Sequence, residues 1–181
     1  MIKLKDILLE ATAPSIFIPR RMEDRLERMI KDYIRNGSKG NLNLSYMELT
    51  ELPAILKNVD IEGNFWCIFN KLTSLVGAPK DVGGKFDCSN NKLTSLQGAP
   101  KTVGGNFFCN NNNLTSLQGA PKTVGGHFHC GFNNLTSLDG APEYVGGEFY
   151  IINNPGKFLT KQIKAVCDVQ GAIFVGGYDK A

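Results

Sequence analysis

From Leu72 onward the apolar positions recur every 21 residues. Leu-Thr-Ser-Leu begins at Leu72, Leu93, Leu114 and Leu135, and each copy continues through Gly-Ala-Pro, a Val, Gly-Gly and a Phe. The Phe positions are Phe86, Phe107, Phe128 and Phe149. Two residues later come Cys88, Cys109, Cys130 and Ile151, and three beyond those come Asn91, Asn112, Asn133 and Asn154. The phase reaches back through Gly63, Phe65, Cys67 and Asn70. It continues less regularly through Leu42, Leu44, Leu49 and Leu52, where the spacing is two residues longer, which makes about six coils. Phe and Cys alternate with polar or variable positions, the period of a short strand with one buried face. Repetition at fixed spacing predicts stacked coils whose strands pair in parallel about 4.8 Å apart. Leu72, Leu75 and their equivalents fill the core from the following arc. Gly-Gly before each strand is expected to supply backbone angles closed to other residues. Pro79 and its equivalents oppose a helix on the outer arc, which is therefore expected to be irregular.

Before the repeats the period changes. In residues 20–35, Met22, Leu26, Met29, Ile30, Tyr33 and Ile34 fall on one face of a helix. Pro19 suits its start and Asn36-Gly37 its end. Stacked coils expose their core at both ends, so this helix is expected to cap the first coil. A short helix over residues 158–167 and a last strand over 172–175 are expected to close the other end. The expected division is an arm at 1–19, the helical cap at 20–40, repeats at 41–155 and a C-terminal cap at 156–181.

The run Phe-x-Cys-x-x-Asn-x-Leu-x-x-Leu resembles the core of the leucine-rich repeat. The resemblance covers residues 41 to 155 and implies a solenoid with short parallel strands on a concave face. It also implies a ladder of the Asn side chains, each satisfying backbone groups that the turn leaves unpaired.

Composition narrows the function. Twenty basic against 17 acidic residues leave a net charge of +3, too weak a balance to argue for nucleic acid. Lys80, Lys101 and Lys122 align on the outer arc, but Glu143 interrupts that column. No apolar run is long enough to span a bilayer as a helix. Five Cys without a secretory signal point to free thiols in a reducing compartment. The stacked Cys lack the paired spacing of zinc sites and read as small apolar core residues.

The outward strand positions form two columns. One holds Asn64, Lys85, Asn106, His127 and Glu148, and the next holds Trp66, Asp87, Phe108, His129 and Tyr150. Exposed aromatics on a rigid concave sheet are the usual centres of a binding surface. Cross-strand aromatic pairs can equally shield one another. The core positions are nearly constant between coils while these vary, the division expected between scaffold and readout. The expected partner-binding set is Trp66, Lys85, Asp87, Phe108, His127, His129, Glu148 and Tyr150. His127 and His129 share a face, yet no third metal ligand lies at a diagnostic spacing, so neither a metal nor a cofactor is expected. No phosphate-binding loop or nucleophile–base pairing is present, since alternation buries Cys130 while His129 faces out.

Leu8-Leu9-Glu10 followed by Ala11 resembles the processing signal of internal head proteins in large contractile-tailed phages. The Leu-Thr-Ser-Leu-x-Gly-Ala-Pro copies also look like phage-encoded repeats. That resemblance implies cleavage after Glu10, with Leu8, Glu10 and Ala11 as processing residues. It also implies a place in the virion interior or the host cytoplasm. The expected function is non-catalytic binding of a host or viral protein. A structural role in virion assembly is the alternative, and nucleic-acid binding a weaker one.

Overall fold

The computed structural model describes residues 20–176. The 1–19 arm, including Leu8, Glu10 and Ala11, lies outside the described residues, as do 177–181. Helix α1 spans Arg20–Arg35, the range the apolar periodicity predicts. Leu26, Ile30 and Tyr33 are buried and join the core, Met29 packs against it, and Ile34 is partly exposed. The helix ends where Gly37 and Ser38 turn left-handed, at φ 72° and 59°. The Tyr33 hydroxyl donates to the Ser38 carbonyl beyond that turn.

After the helix the chain winds into a parallel β-solenoid of about six turns with 21-residue spacing. Strands are numbered β1 to β13 in chain order. The odd strands form a seven-stranded parallel sheet: Leu42–Asn43, Phe65–Trp66, Phe86–Asp87, Phe107–Phe108, Phe128–His129, Phe149–Tyr150 and Ile173–Phe174. Each core Phe pairs in register with the next, Phe86 with Phe107 and Phe107 with Phe128. Leu42 pairs with Phe65, which absorbs the longer first coil. The Phe rings stack along the axis with centroids 5.0–5.6 Å apart and no exposed surface. Burying such a ring stabilises by roughly 1.5–3 kcal/mol, so this column is the spine of the fold.

The arcs are not irregular. The even strands form a second parallel sheet of six: Asp60–Ile61, Asp81–Val82, Thr102–Val103, Thr123–Val124, Tyr144–Val145 and Asp168–Val169. The Val that precedes Gly-Gly points inward and pairs with its equivalent one coil away. Proline excludes a helix there, and the same extended geometry admits strand pairing once coils are stacked.

Gly-Gly forms the corner between the two sheets, and the reason for glycine differs from the expectation. None of these pairs is left-handed. The coils approach so closely that a Cβ on Gly104 or Gly125 would collide with the carbonyl oxygen of the glycine one coil earlier. Within the repeated Gly-Ala-Pro arcs the left-handed glycines are Gly77, Gly98, Gly119 and Gly140, with φ 80–94°.

The Asn column forms the expected ladder. Asn112 Oδ1 accepts from the Leu93 N–H at 2.9 Å. Its Nδ2 donates to the carbonyls of Cys88 at 3.1 Å and Cys109 at 3.2 Å, joining two coils. Asn70, Asn91, Asn133 and Asn154 make the same bonds in their coils. The Cys thiols form a second inner column. Cys88 donates to the Phe108 carbonyl at 3.3 Å and Cys109 to that of His129 at 3.4 Å. All are free and buried, and burial pushes the thiols of Cys67, Cys88, Cys109 and Cys130 upward.

Both sheets continue past the expected end of the repeats. Helix α2 spans Thr160–Val166, with Ile163 buried. Beyond it Asp168–Val169 pairs with Tyr144–Val145, and Ile173–Phe174 pairs with Phe149–Tyr150.

Candidate functional site

The outward side chains of the seven-stranded sheet fall into the two expected columns, and the structure gives them different work. The first contains Asn41, Asn64, Lys85, Asn106, His127 and Glu148. At the Gly-Gly corner the next residue begins a strand with its N–H directed at the preceding coil. Acceptor side chains of this column receive that bond. The Asn64 N–H donates to Asn41 Oδ1 at 2.8 Å, and the Lys85 N–H to Asn64 Oδ1 at 2.7 Å. The His127 N–H donates to Asn106 Oδ1 at 2.9 Å. The Glu148 N–H donates to His127 Nδ1 at 2.9 Å. This second ladder was not anticipated from sequence. Its signal was present as acceptors at one phase, but only the approach of the coils shows which N–H each one meets.

His127 is therefore constrained. Accepting at Nδ1 puts the hydrogen of the neutral ring on Nε2. Glu148 Oε2 lies 3.8 Å from the same Nδ1, an ion pair that exists only when the ring is protonated. The two arrangements compete for one nitrogen.

The second column runs in register through Asn43, Trp66, Asp87, Phe108, His129, Tyr150 and Phe174. Phe108, His129, Tyr150 and Phe174 stack successively, with centroids 4.5, 5.0 and 5.1 Å apart. Lys85 Nζ sits 4.1 Å above the Phe108 ring and 2.8 Å from Asp87 Oδ2. Phe174 extends the column by one coil, on the last strand expected over 172–175.

Asp87 departs from the expected open position. It is 4% exposed, because Lys85 closes over one carboxylate oxygen while the Ser89 hydroxyl and N–H bond the other at 2.5 and 3.1 Å. It locks Lys85 and its own turn, and offers little surface to a partner. Trp66, Phe108, His129 and Tyr150 remain partly exposed, as do Lys85, His127 and Glu148.

His129 lies between the rings of Phe108 and Tyr150, with Nε2 buried and unbonded. Burial holds its pKa below the ordinary imidazole value, with His127 adding to the effect and Glu148 opposing it. No group of three His, Cys, Asp or Glu among the described residues is placed to hold a metal. On the outer arc, Lys122 pairs with Glu143 at 2.6 Å and Lys80 with Asp81 at 3.6 Å, so that basic column is partly neutralised. No described helix is long and apolar enough to cross a membrane.

A third row, set by backbone conformation, lies beyond the second column. The residue before each ladder Asn is left-handed: Phe69, Asn90, Asn111, Phe132 and Asn153 have φ between 53° and 57°, and Tyr46 has φ 59° in the first coil. Tyr46 is 68% exposed, Phe69 47% and Phe132 51%. Tyr46 and Phe69 stack with centroids 4.8 Å apart. The row borders the aromatic column across Ile68 and Ile152, which are partly exposed.

The chain matches no model of a known family and no curated protein sequence.

Proposed function

We propose that the chain is a non-catalytic, protein-binding repeat module of leucine-rich type whose partner docks on the seven-stranded sheet. The observation that carries the reading is the continuous, partly exposed column Phe108–His129–Tyr150–Phe174 on a face stiffened by two side-chain ladders. Aromatic side chains held rigid before binding lose little entropy when a partner covers them. Stacking alone would account for roughly 0.5–1.5 kcal/mol per pair beyond burial. It does not account for Trp66, which stands apart in the same column and remains partly exposed. The Asn ladder supports the leucine-rich reading, and α1 is the natural cover for the first coil.

The resemblance of Leu8–Ala11 to a phage processing signal favours delivery with the virion. In that version the bound protein belongs to the host, and the mature chain starts at Ala11. The mass of the N-terminus in purified particles tests it.

The binding reading is tested by immobilising wild-type chain and the W66A/F108A/Y150A variant and comparing proteins retained from host extract. The variant should keep its circular dichroism spectrum and lose at least about tenfold in retention, as expected when hot-spot rings are removed. Equal retention would move the site off this sheet.

A further inference from the structure

The left-handed row separates two demands on the same position. A left-handed backbone suits Asn, which occupies the row at Asn90, Asn111 and Asn153. Tyr46, Phe69 and Phe132 adopt the same conformation with bulky side chains that the backbone disfavours. About half or more of each side chain is exposed, so burial does not explain them. These three rings are costly to the fold and presented to solvent, the combination expected of contact residues.

The charges on this face indicate what the rings meet. Across the outward columns and this row, the charged residues are Lys85, Asp87, His127 and Glu148. Lys85 is bonded to Asp87, and His127 lies beside Glu148. The face offers no free positive charge to a polyanion, and around the rings of Tyr46, Phe69 and Phe132 it complements an uncharged segment.

Spacing indicates its shape. Phe69 and Phe132 are three coils apart, about 14 Å at the usual strand separation. Side chains at i and i+4 of an extended chain lie about 13 Å apart on one face. A helix offers about 10.5 Å at i+7 or about 16.5 Å at i+11. Between the two rings lie Asn90 and Asn111, whose side-chain amides the fold leaves unbonded and able to meet a backbone.

We propose that Tyr46, Phe69 and Phe132 grip an extended, uncharged polypeptide segment that runs along the solenoid axis. The segment sets apolar side chains at i and i+4 against Phe69, which Tyr46 backs by stacking, and Phe132. This inference rests on the protein-binding reading and names the partner's recognised element.

The test uses the full chain and fluorophore-labelled neutral Ser/Thr/Gly peptides carrying two Trp residues at i+2, i+4 or i+7. Binding is read by fluorescence anisotropy. The i+4 peptide should bind about tenfold tighter than the others and lose that advantage with F69N or F132N, as for hot-spot contacts. Both variants should stay folded by circular dichroism, because Asn suits the left-handed backbone. The outer-arc variant K101A should bind as the wild type does. Equal affinity for the three peptides, no binding of any, or unchanged binding by F69N and F132N would overturn the proposal. Dimerisation of the chain at micromolar concentration that F69N abolishes would also overturn it, by making a second copy the occupant. If F69N and F132N keep the host proteins that W66A/F108A/Y150A loses, this inference fails and the protein-binding reading survives.

Discussion

Asn112→Ala separates the role of the inner ladder from that of the hydrophobic column. Asn112 is 7% exposed, so water does not replace its bonds. The carbonyls of Cys88 and Cys109 keep amide donors after truncation, because Asn91 still donates to the first and Asn133 to the second. The Leu93 N–H has no such reserve, since its acceptor is Asn112 Oδ1. Orphaning one buried N–H costs about 1–3 kcal/mol, and losing the two carbonyl bonds about 0.5–1.5 kcal/mol each. The sum is roughly 2–6 kcal/mol, a large share of a domain's usual stability. Urea unfolding should show a lower midpoint at unchanged slope, and exchange of the Leu93 amide should accelerate more than that of neighbours in the same coil. Asn154→Ala should cost less, because that residue is only half-buried at the last rung. A loss below about 1 kcal/mol for Asn112→Ala, with Leu93 still protected, would refute the ladder as a stabilising element and leave the packing of Phe107 and its neighbours to hold the coils.

Two further outcomes follow from the geometry. Gly125→Ala places a Cβ against the Gly104 carbonyl and should lower the unfolding midpoint by several degrees, whereas Gly37→Ala meets open space and acts only through its left-handed φ of 72°; equal effects would contradict coil contact as the reason for Gly-Gly. His129 has its folded pKa depressed by burial, so the unfolded chain binds the extra proton, and the stability this residue contributes is present above pH 6.5 and lost as pH falls through the folded value; His129→Phe should flatten that part of the pH–stability curve, and an unchanged curve would assign the dependence elsewhere.

Much of the solenoid was legible in one dimension because its determinants are local and repeated. Strand alternation assigns Phe107 and Cys109 inward and Phe108 outward, and a 21-residue period requires equivalent residues to stack. The helix at Arg20–Arg35 and the Asn ladder follow from patterns of the same kind. The aromatic column was visible as residue identities at one phase, although the break in repeat spacing masked that the expected last strand adds Phe174 to it.

Other features depend on distances between residues a full coil apart. Only stacked coils show that the arcs pair as a second sheet and that Gly104 must lack a Cβ. Asn64 and His127 have acceptors in any conformation, but the corner determines that those acceptors receive backbone N–H groups. Asp87 reads as an outward carboxylate until Lys85 and Ser89 fold over it. The left-handed turn at Phe69 and Phe132 accompanies the ladder Asn that follows, whose amide bonds a carbonyl of the neighbouring coil, Leu44 from Asn70 and Cys109 from Asn133. Sequence alone determined the period, the phase and the inward columns, because side-chain alternation and repetition need no knowledge of neighbours. Tertiary structure decided which outward residues remain available to a partner, because that depends on how closely each coil lies against the next.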